Sequence, residues 1–127
     1  MSFKRERPWG WYKTLCRGDN YAVKKIWVEP NQRLSLQYHL HRSEHWTVVK
    51  GSGVVTRGNL ETECKVGDTF DIGIEQRHRL AGGKDGVLII EVQRGECRED
   101  DIIRLEDDYG RVQNTNLYTT INEFGTE

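Results

Sequence analysis

The chain has 127 residues and nearly balanced charge, formally −1, with 31% charged and 35% hydrophobic residues. That is the length of one domain, with enough branched and aromatic residues to bury a core. It has no basic field suited to a nucleic-acid backbone or a membrane surface, and no apolar run long enough for a signal peptide or a membrane span.

The three cysteines, Cys16, Cys64 and Cys97, are odd in number and widely spaced. They fit neither a disulfide framework nor a Cys-rich zinc knuckle, and they predict reduced thiols in the cytoplasm. A single domain is expected over 1–127. Within it, residues 1–20, with Trp9 and Trp11, form an N-terminal segment packed on the body, and 112–127 form a polar tail.

Turn signals then recur every several residues, at "CRGDN", "EPNQ", "KGSG", "RGN", "KVGD", "GGKDG" and "RGE". Between them lie short β-prone runs, in order "YAVKKIWV", "RLSLQYH", "HWTVVK", "GVVTRG", "DTFDI", "HRLAG" and "GVLIIEVQ". That rhythm predicts an all-β sandwich or barrel. "KGSG" and "RGN" read as hairpin turns. One helix is expected, over "REDDIIRLEDDYG", acid-rich at its start and closed by Gly110.

The most informative run is "RLSLQYHLHRSEHWTVVKG". Side chains alternate across a strand, so Arg33, Ser35, Gln37, His39 and His41 share one face, and Leu34, Leu36, Tyr38 and Leu40 the other. The apolar row reads most simply as core, with a dimer interface as the alternative. The polar face can open on water or line a cavity. His39 and His41 project to the same side, a two-imidazole geometry suited to Zn, Fe, Mn, Co or Ni. A bend must follow before Glu44. Beyond it Glu44, Trp46 and Val48 share one face, and His45, Thr47 and Val49 the other. Phase with the apolar residues favours Glu44 pointing inward, with His45 as the alternative. The guanidinium of Arg33, in phase with His39, matches phosphate oxygens. Lys25, Arg77 and Arg79 are weaker candidates of the same kind. Glu91 and Gln93 in "VLIIEVQ" are either a polar rim or cavity residues.

These strings carry a resemblance. Glu44, six residues and then Gly51 match the end of the first cupin motif; Gly67 followed by "DTFDIGIEQRH" matches the second in spacing. "RPWGWY", "SLQYHLHRSEHW" and "EDDIIRLEDDYGR" resemble more narrowly the cupin domain of type II mannose-6-phosphate isomerases, over about Arg7 to Arg111. In that family the domain often follows a mannose-1-phosphate guanylyltransferase domain, which is not expected within this sequence.

The resemblance implies a cupin or jelly-roll barrel with a short C-terminal helix, working as a homodimer; with the charge balance above, neither nucleic acid nor membrane is an expected partner. It also implies one divalent metal ion, Zn ahead of Co, Ni, Mn or Fe, held by His39, His41, Glu44 and His78. The expected activity is reversible conversion of mannose 6-phosphate to fructose 6-phosphate. In that reading Arg33 holds phosphate, Gln37 a sugar hydroxyl, Lys25 and Arg111 are further substrate contacts, and Glu91 moves the proton. Two alternatives stay open: a non-catalytic cupin that binds a sugar phosphate or nucleotide sugar, and a cupin dioxygenase, epimerase or lyase. The sequence departs from the family pattern at Asn31 and Leu40, and at Gly73-Ile74-Glu75-Gln76, where Pro-Ala-Gly-Thr is usual.

Overall fold

The computed structural model describes residues 3–112. The expected tail therefore lies, from 113 onward, outside the described residues. Nine strands follow one another: β1 (Arg5–Arg7), β2 (Gly10–Arg17), β3 (Tyr21–Val28), β4 (Leu36–Tyr38), β5 (Arg42–Arg57), β6 (Leu60–Lys65), β7 (Thr69–Ile72), β8 (His78–Gly95) and β9 (Ile103–Glu106). All pair antiparallel in one curled sheet, in the order β1-β2-β3-β8-β4-β9, with β5 joining β8 to β6 and β7. The N-terminal segment thus enters the sheet itself as β1 and β2, and Trp9 is fully buried in the core.

Two long strands curl the sheet. β5 and β8 pair along most of their length, from Arg42↔Gly95 to Arg57↔His78. Two expected turns fall inside them. "KGSG" is no hairpin but part of β5, and "GGKDG" lies within β8. The register slips between Val48 and Lys50, and again between Gly51 and Gly53. Such bulges bend a strand without ending it. Gly51 permits the bend, with φ of 76° and a built Cβ that would stand 2.1 Å from the Gly86 carbonyl oxygen. "RGN" does turn the chain, joining Arg57 to Leu60 as the β5–β6 hairpin.

The expected C-terminal helix is corrected. Residues Ile103–Glu106 form β9, which pairs with β4 through Leu36↔Glu106, Gln37↔Arg104 and Tyr38↔Ile103. Ile102 and Arg104 are buried while Leu105 is exposed, a period of two rather than 3.6. The unpaired edge of β4 supplies hydrogen-bonding partners that no local signal announces.

The interior changes character along the strands. Inward residues of β3 run Val28, Ile26, Lys24, and those of β8 run Val87, Ile89, Glu91, Gln93. Those of β5 run Val48, Trp46, Glu44, Arg42. Cross-strand pairs therefore pass from Ile26↔Ile89 and Val48↔Ile89 to Lys24↔Glu91, Trp46↔Glu91 and Glu44↔Gln93. The apolar half, with Trp9, Val55, Ile72 and Leu80, drives folding at about 1.5–3 kcal/mol per large side chain buried. The polar half forms the site.

Candidate metal centre

β4 turns its polar face inward. Ser35, Gln37 and His39 are buried, whereas Leu36 and Tyr38 are half-buried and Leu40 is exposed. Only Leu34 of the apolar row joins the core, so that row is mainly outer surface and not, as expected, core.

The alternation breaks just after His39. The Asp101 carboxylate accepts hydrogen bonds from the amides of Leu40 and His41, at 2.9 Å each. These two residues make a bend, and β5 restarts at Arg42. The break shifts the phase by one residue. His41 becomes exposed, and the buried Arg42 side chain takes the inward position. Beyond the bend, Glu44, Trp46 and Val48 are buried. His45 lies on the outer face, its Nδ1 2.7 Å from Asp71, beside a groove of about 480 Å³ that Val92 and Arg94 also line.

His39, Glu44 and His78 are thereby brought together, their potential ligand atoms all within 4.8 Å of one another. His39 Nε2 stands 3.1 Å from Glu44 Oε2, and His78 Nε2 3.6 Å from Glu44 Oε1. Both imidazoles are oriented from behind. His39 Nδ1 lies 2.6 Å from the Asp101 carbonyl oxygen, and His78 Nδ1 2.8 Å from that of Gln76. Each Nδ1–H donates to a carbonyl, which leaves each Nε2 lone pair aimed at the carboxylate. Three acceptors converging in a buried space call for a cation between them. This nitrogen–oxygen donor set fits a single divalent first-row metal ion and leaves further coordination positions open.

Arg42 is the cation already there. Its Nε donates to Glu44 Oε2 at 2.9 Å, its Nη2 to His39 Nε2 at 3.2 Å and its Nη1 to the Arg98 carbonyl at 2.9 Å. Burial alone would push the Glu44 carboxyl up. The charge of Arg42, and in the protonated state of the two imidazoles the charges of His39 and His78 and a hydrogen bond from His39, outweigh it and hold Glu44 well below the usual range. Trp46 Nε1–H is shared between Glu44 Oε1 at 3.1 Å and Glu91 Oε2 at 3.0 Å. Gln93 donates to Glu91 Oε1 at 2.8 Å. Glu91 and Gln93 are thus interior residues, as is Gln37, whose Nε2 donates to Ser35 Oγ at 2.8 Å.

The other named cations point elsewhere. Arg33 is half-exposed and makes a two-pronged pair with Asp108, at 2.7 and 2.8 Å. Arg111 pairs with Asp107 at 2.8 Å. Lys25 lies on the outer face beside Trp11, Trp27 and Lys50. Sequence reasoning missed Arg42, Lys24, Glu99 and Asp101. Lys24 had a readable signal, since it is in phase with Ala22, Ile26 and Val28 on β3.

A curled antiparallel sheet with a buried His–Glu–His cluster inside it defines a cupin. The fold agrees with a cupin-2 domain protein, Rru_A2000 of Rhodospirillum rubrum, at a TM-score of 0.64 and 16% identity over 69% of this chain and 61% of that one. Residues 1–107 match the family described as "Mannose-6-phosphate isomerase C-terminal", and the chain belongs to that family. It is 49% identical over 108 residues to alginate biosynthesis protein AlgA of Pseudomonas aeruginosa and 46% identical over 108 residues to xanthan biosynthesis protein XanB of Xanthomonas campestris pv. campestris. Each match covers 84% of this chain but only 22% and 23% of those relatives, so the chain spans less than a quarter of their length.

Proposed function

We propose that the chain is a metal-dependent aldose–ketose isomerase that interconverts mannose 6-phosphate and fructose 6-phosphate. The observation that carries this reading is the buried His39–Glu44–His78 cluster in a chain of this family. A divalent ion held by those three residues would supply Lewis-acid stabilisation of the oxygen charge that develops at C1 and C2 of the open-chain sugar.

The chain's own residues do the rest. A base takes the C2 proton, the C–H electrons form the C1=C2 bond, and the C1=O π pair moves to O1, which takes a proton to give the enediol; loss of the O2 proton then forms C2=O while the C1=C2 pair takes the proton back at C1. Glu91 is the base in this reading, because its carboxylate is interior and shares the Trp46 N–H with Glu44. Gln37 is placed to hold a sugar hydroxyl. The surrounding strands exclude water from the enediol. His41 is not needed as a ligand here, and Arg42 stands in its inward position.

Three free thiols suit a reducing cytoplasm. The half-exposed outer row of Leu36, Tyr38 and Leu40 supports a homodimer through that face. Among the described residues no helix is long and apolar enough to cross a membrane.

The test is fructose 6-phosphate formation from mannose 6-phosphate, with and without chelator, after loading with Zn, Co, Ni, Mn or Fe. Activity that returns only with metal supports the reading. Activity that survives complete metal removal overturns the metal's part in it. No turnover with any of the metals leaves a sugar-phosphate-binding module.

A further inference from the structure

We propose that Lys24, Arg17 and Tyr12 form an anion subsite at the barrel mouth that receives the phosphate of a sugar phosphate, and that the Glu99 carboxylate fills it in the closed molecule. The sugar-phosphate part rests on the isomerase reading; the anion subsite does not.

The Lys24 side chain is 1% exposed. An ammonium so deeply buried is tolerated only when paired. Its Nζ reaches both Glu99 oxygens, at 3.0 and 2.8 Å, and lies 4.5 Å from the centre of the Tyr12 ring. Arg17 Nη2 donates to Glu99 Oε2 at 2.9 Å, and the Tyr12 hydroxyl to Oε1 at 3.3 Å. One carboxylate thus collects two cationic donors and a hydroxyl. Lys24 and Arg17 both direct their positive charge at this one carboxylate. A phosphate monoester, with roughly −1.5 to −2 charge and three acceptor oxygens, matches that receptor better than a carboxylate does.

The receptor and its occupant come from different parts of the chain. Tyr12 and Arg17 lie on β2 and Lys24 on β3, within the sheet. Glu99 lies on the connection between β8 and β9. That connection covers the site. Arg17 donates to the Cys97 carbonyl and Arg42 to that of Arg98, while Asp101 holds His39 and the bend after it. The side chains of His39, Glu44 and His78 are each no more than 2% exposed, and in this proposal the connection is the segment that moves to admit a substrate. A phosphate that takes the Glu99 position removes one of its anchors.

The receptor also adjoins the chemistry. Lys24 is cross-strand from Glu91, which shares the Trp46 N–H with Glu44. By contrast, Arg33 and Arg111 are each matched by an aspartate of the segment that follows β9, Asp108 and Asp107.

The experiment measures binding of inorganic phosphate, mannose 6-phosphate and mannose by calorimetry, on the full chain with and without chelator. Wild type is compared with Glu99→Gln, which keeps shape but removes the competing charge, and with Arg17→Gln, at a half-exposed position. Glu99→Gln is expected to bind both phosphate-bearing probes at least ten-fold more tightly. Arg17→Gln is expected to bind both at least five-fold more weakly, whereas mannose, which gains only from a looser connection, should bind either variant no more weakly than wild type and change by less than the phosphate-bearing probes. Unchanged or weaker phosphate binding by Glu99→Gln overturns the subsite, as does unchanged binding by Arg17→Gln. Tighter inorganic phosphate without tighter mannose 6-phosphate overturns the sugar-phosphate assignment. If wild type isomerises and Glu99→Gln gains no phosphate affinity, the subsite fails alone. If Glu99→Gln gains affinity for both phosphate-bearing probes and no form isomerises, the isomerase reading fails alone.

Discussion

The amide of Glu75 donates to the carbonyl oxygen of His39 across 2.8 Å. This bond ties the turn that delivers His78 to the segment that carries His39. It holds although the usual glycine of that turn is replaced, because Glu75 itself adopts the left-handed conformation, with φ of 66°. Gly73 N–H donates to Gln76 Oε1 at 2.9 Å and closes the same turn. The altered motif therefore still aims His78 at Glu44.

A side chain with a Cβ is strained in that conformation by roughly 1–2 kcal/mol, and glycine regains part of this against its greater unfolded-state entropy. Glu75→Gly is expected to stabilise the chain by about 1 kcal/mol in urea unfolding, with metal content unchanged. A loss of stability would show that the Glu75 side chain makes a contribution larger than its backbone strain.

His39→Ala and His78→Ala are each expected to weaken metal retention by at least about 100-fold, beyond the usual effect of losing an outer partner. His41→Ala and His45→Ala should retain metal close to wild type, because both side chains lie outside the cluster. Metal content after dialysis against graded chelator reads this directly. A loss in His41→Ala equal to that in His39→Ala would mean that the bend at Leu40–His41 rearranges when metal binds.

Arg42→Met removes a buried cation from a buried carboxylate. The metal-free chain should lose about 3–5 kcal/mol, the range for breaking one side of a buried ion pair. Divalent metal, another cation at the same carboxylate, should narrow that gap. Unfolding curves with metal and with chelator provide the comparison. An equal loss in both would assign the role of Arg42 to its bond with the Arg98 carbonyl.

Burial pushes the Glu99 carboxyl up, but the Lys24 charge and hydrogen bond, with Arg17, bring it below its ordinary value of 4.5. The folded state therefore holds that proton less tightly than the unfolded state. The resulting stability is present above the ordinary value and is lost as pH falls through the lower folded one. The stability difference between wild type and Glu99→Gln should be full near neutral pH and shrink in acid below about 4.5. A difference that grows on acidification would contradict the pairing with Lys24.

Much of the fold was legible because turn residues punctuate runs of alternating character. The errors share one physical origin, long-range pairing. "KGSG" and "GGKDG" carry turn residues, yet β5 and β8 hold each other across both and make them bulges. The run "REDDIIRLEDDYG" reads as helix because its leading acids and Gly110 are local signals, whereas β4, the partner of Ile103–Glu106, is remote. At the site, strand phase put Gln37 and His39 on one polar face, open to water or a cavity, and favoured Glu44 pointing inward. It failed at His41 because the bend there is held by Asp101, about sixty residues away. The same contact puts Arg42 inside. Charge alone could not separate Lys24 from Lys25; their opposite sheet faces do.

Trp46 holds a position with a practical consequence. Its ring meets His78 edge-on at a centroid distance of 5.7 Å, and its N–H spans Glu44 and Glu91. A chromophore is thus wired to one imidazole and both carboxylates of the interior. A change of charge at any of the three reaches its excited state, so the chain carries its own unlabelled optical gauge. Replacing the other three tryptophans, Trp9, Trp11 and Trp27, by phenylalanine would isolate that emission. Occupancy of the centre could then be followed in real time, on a signal separate from turnover.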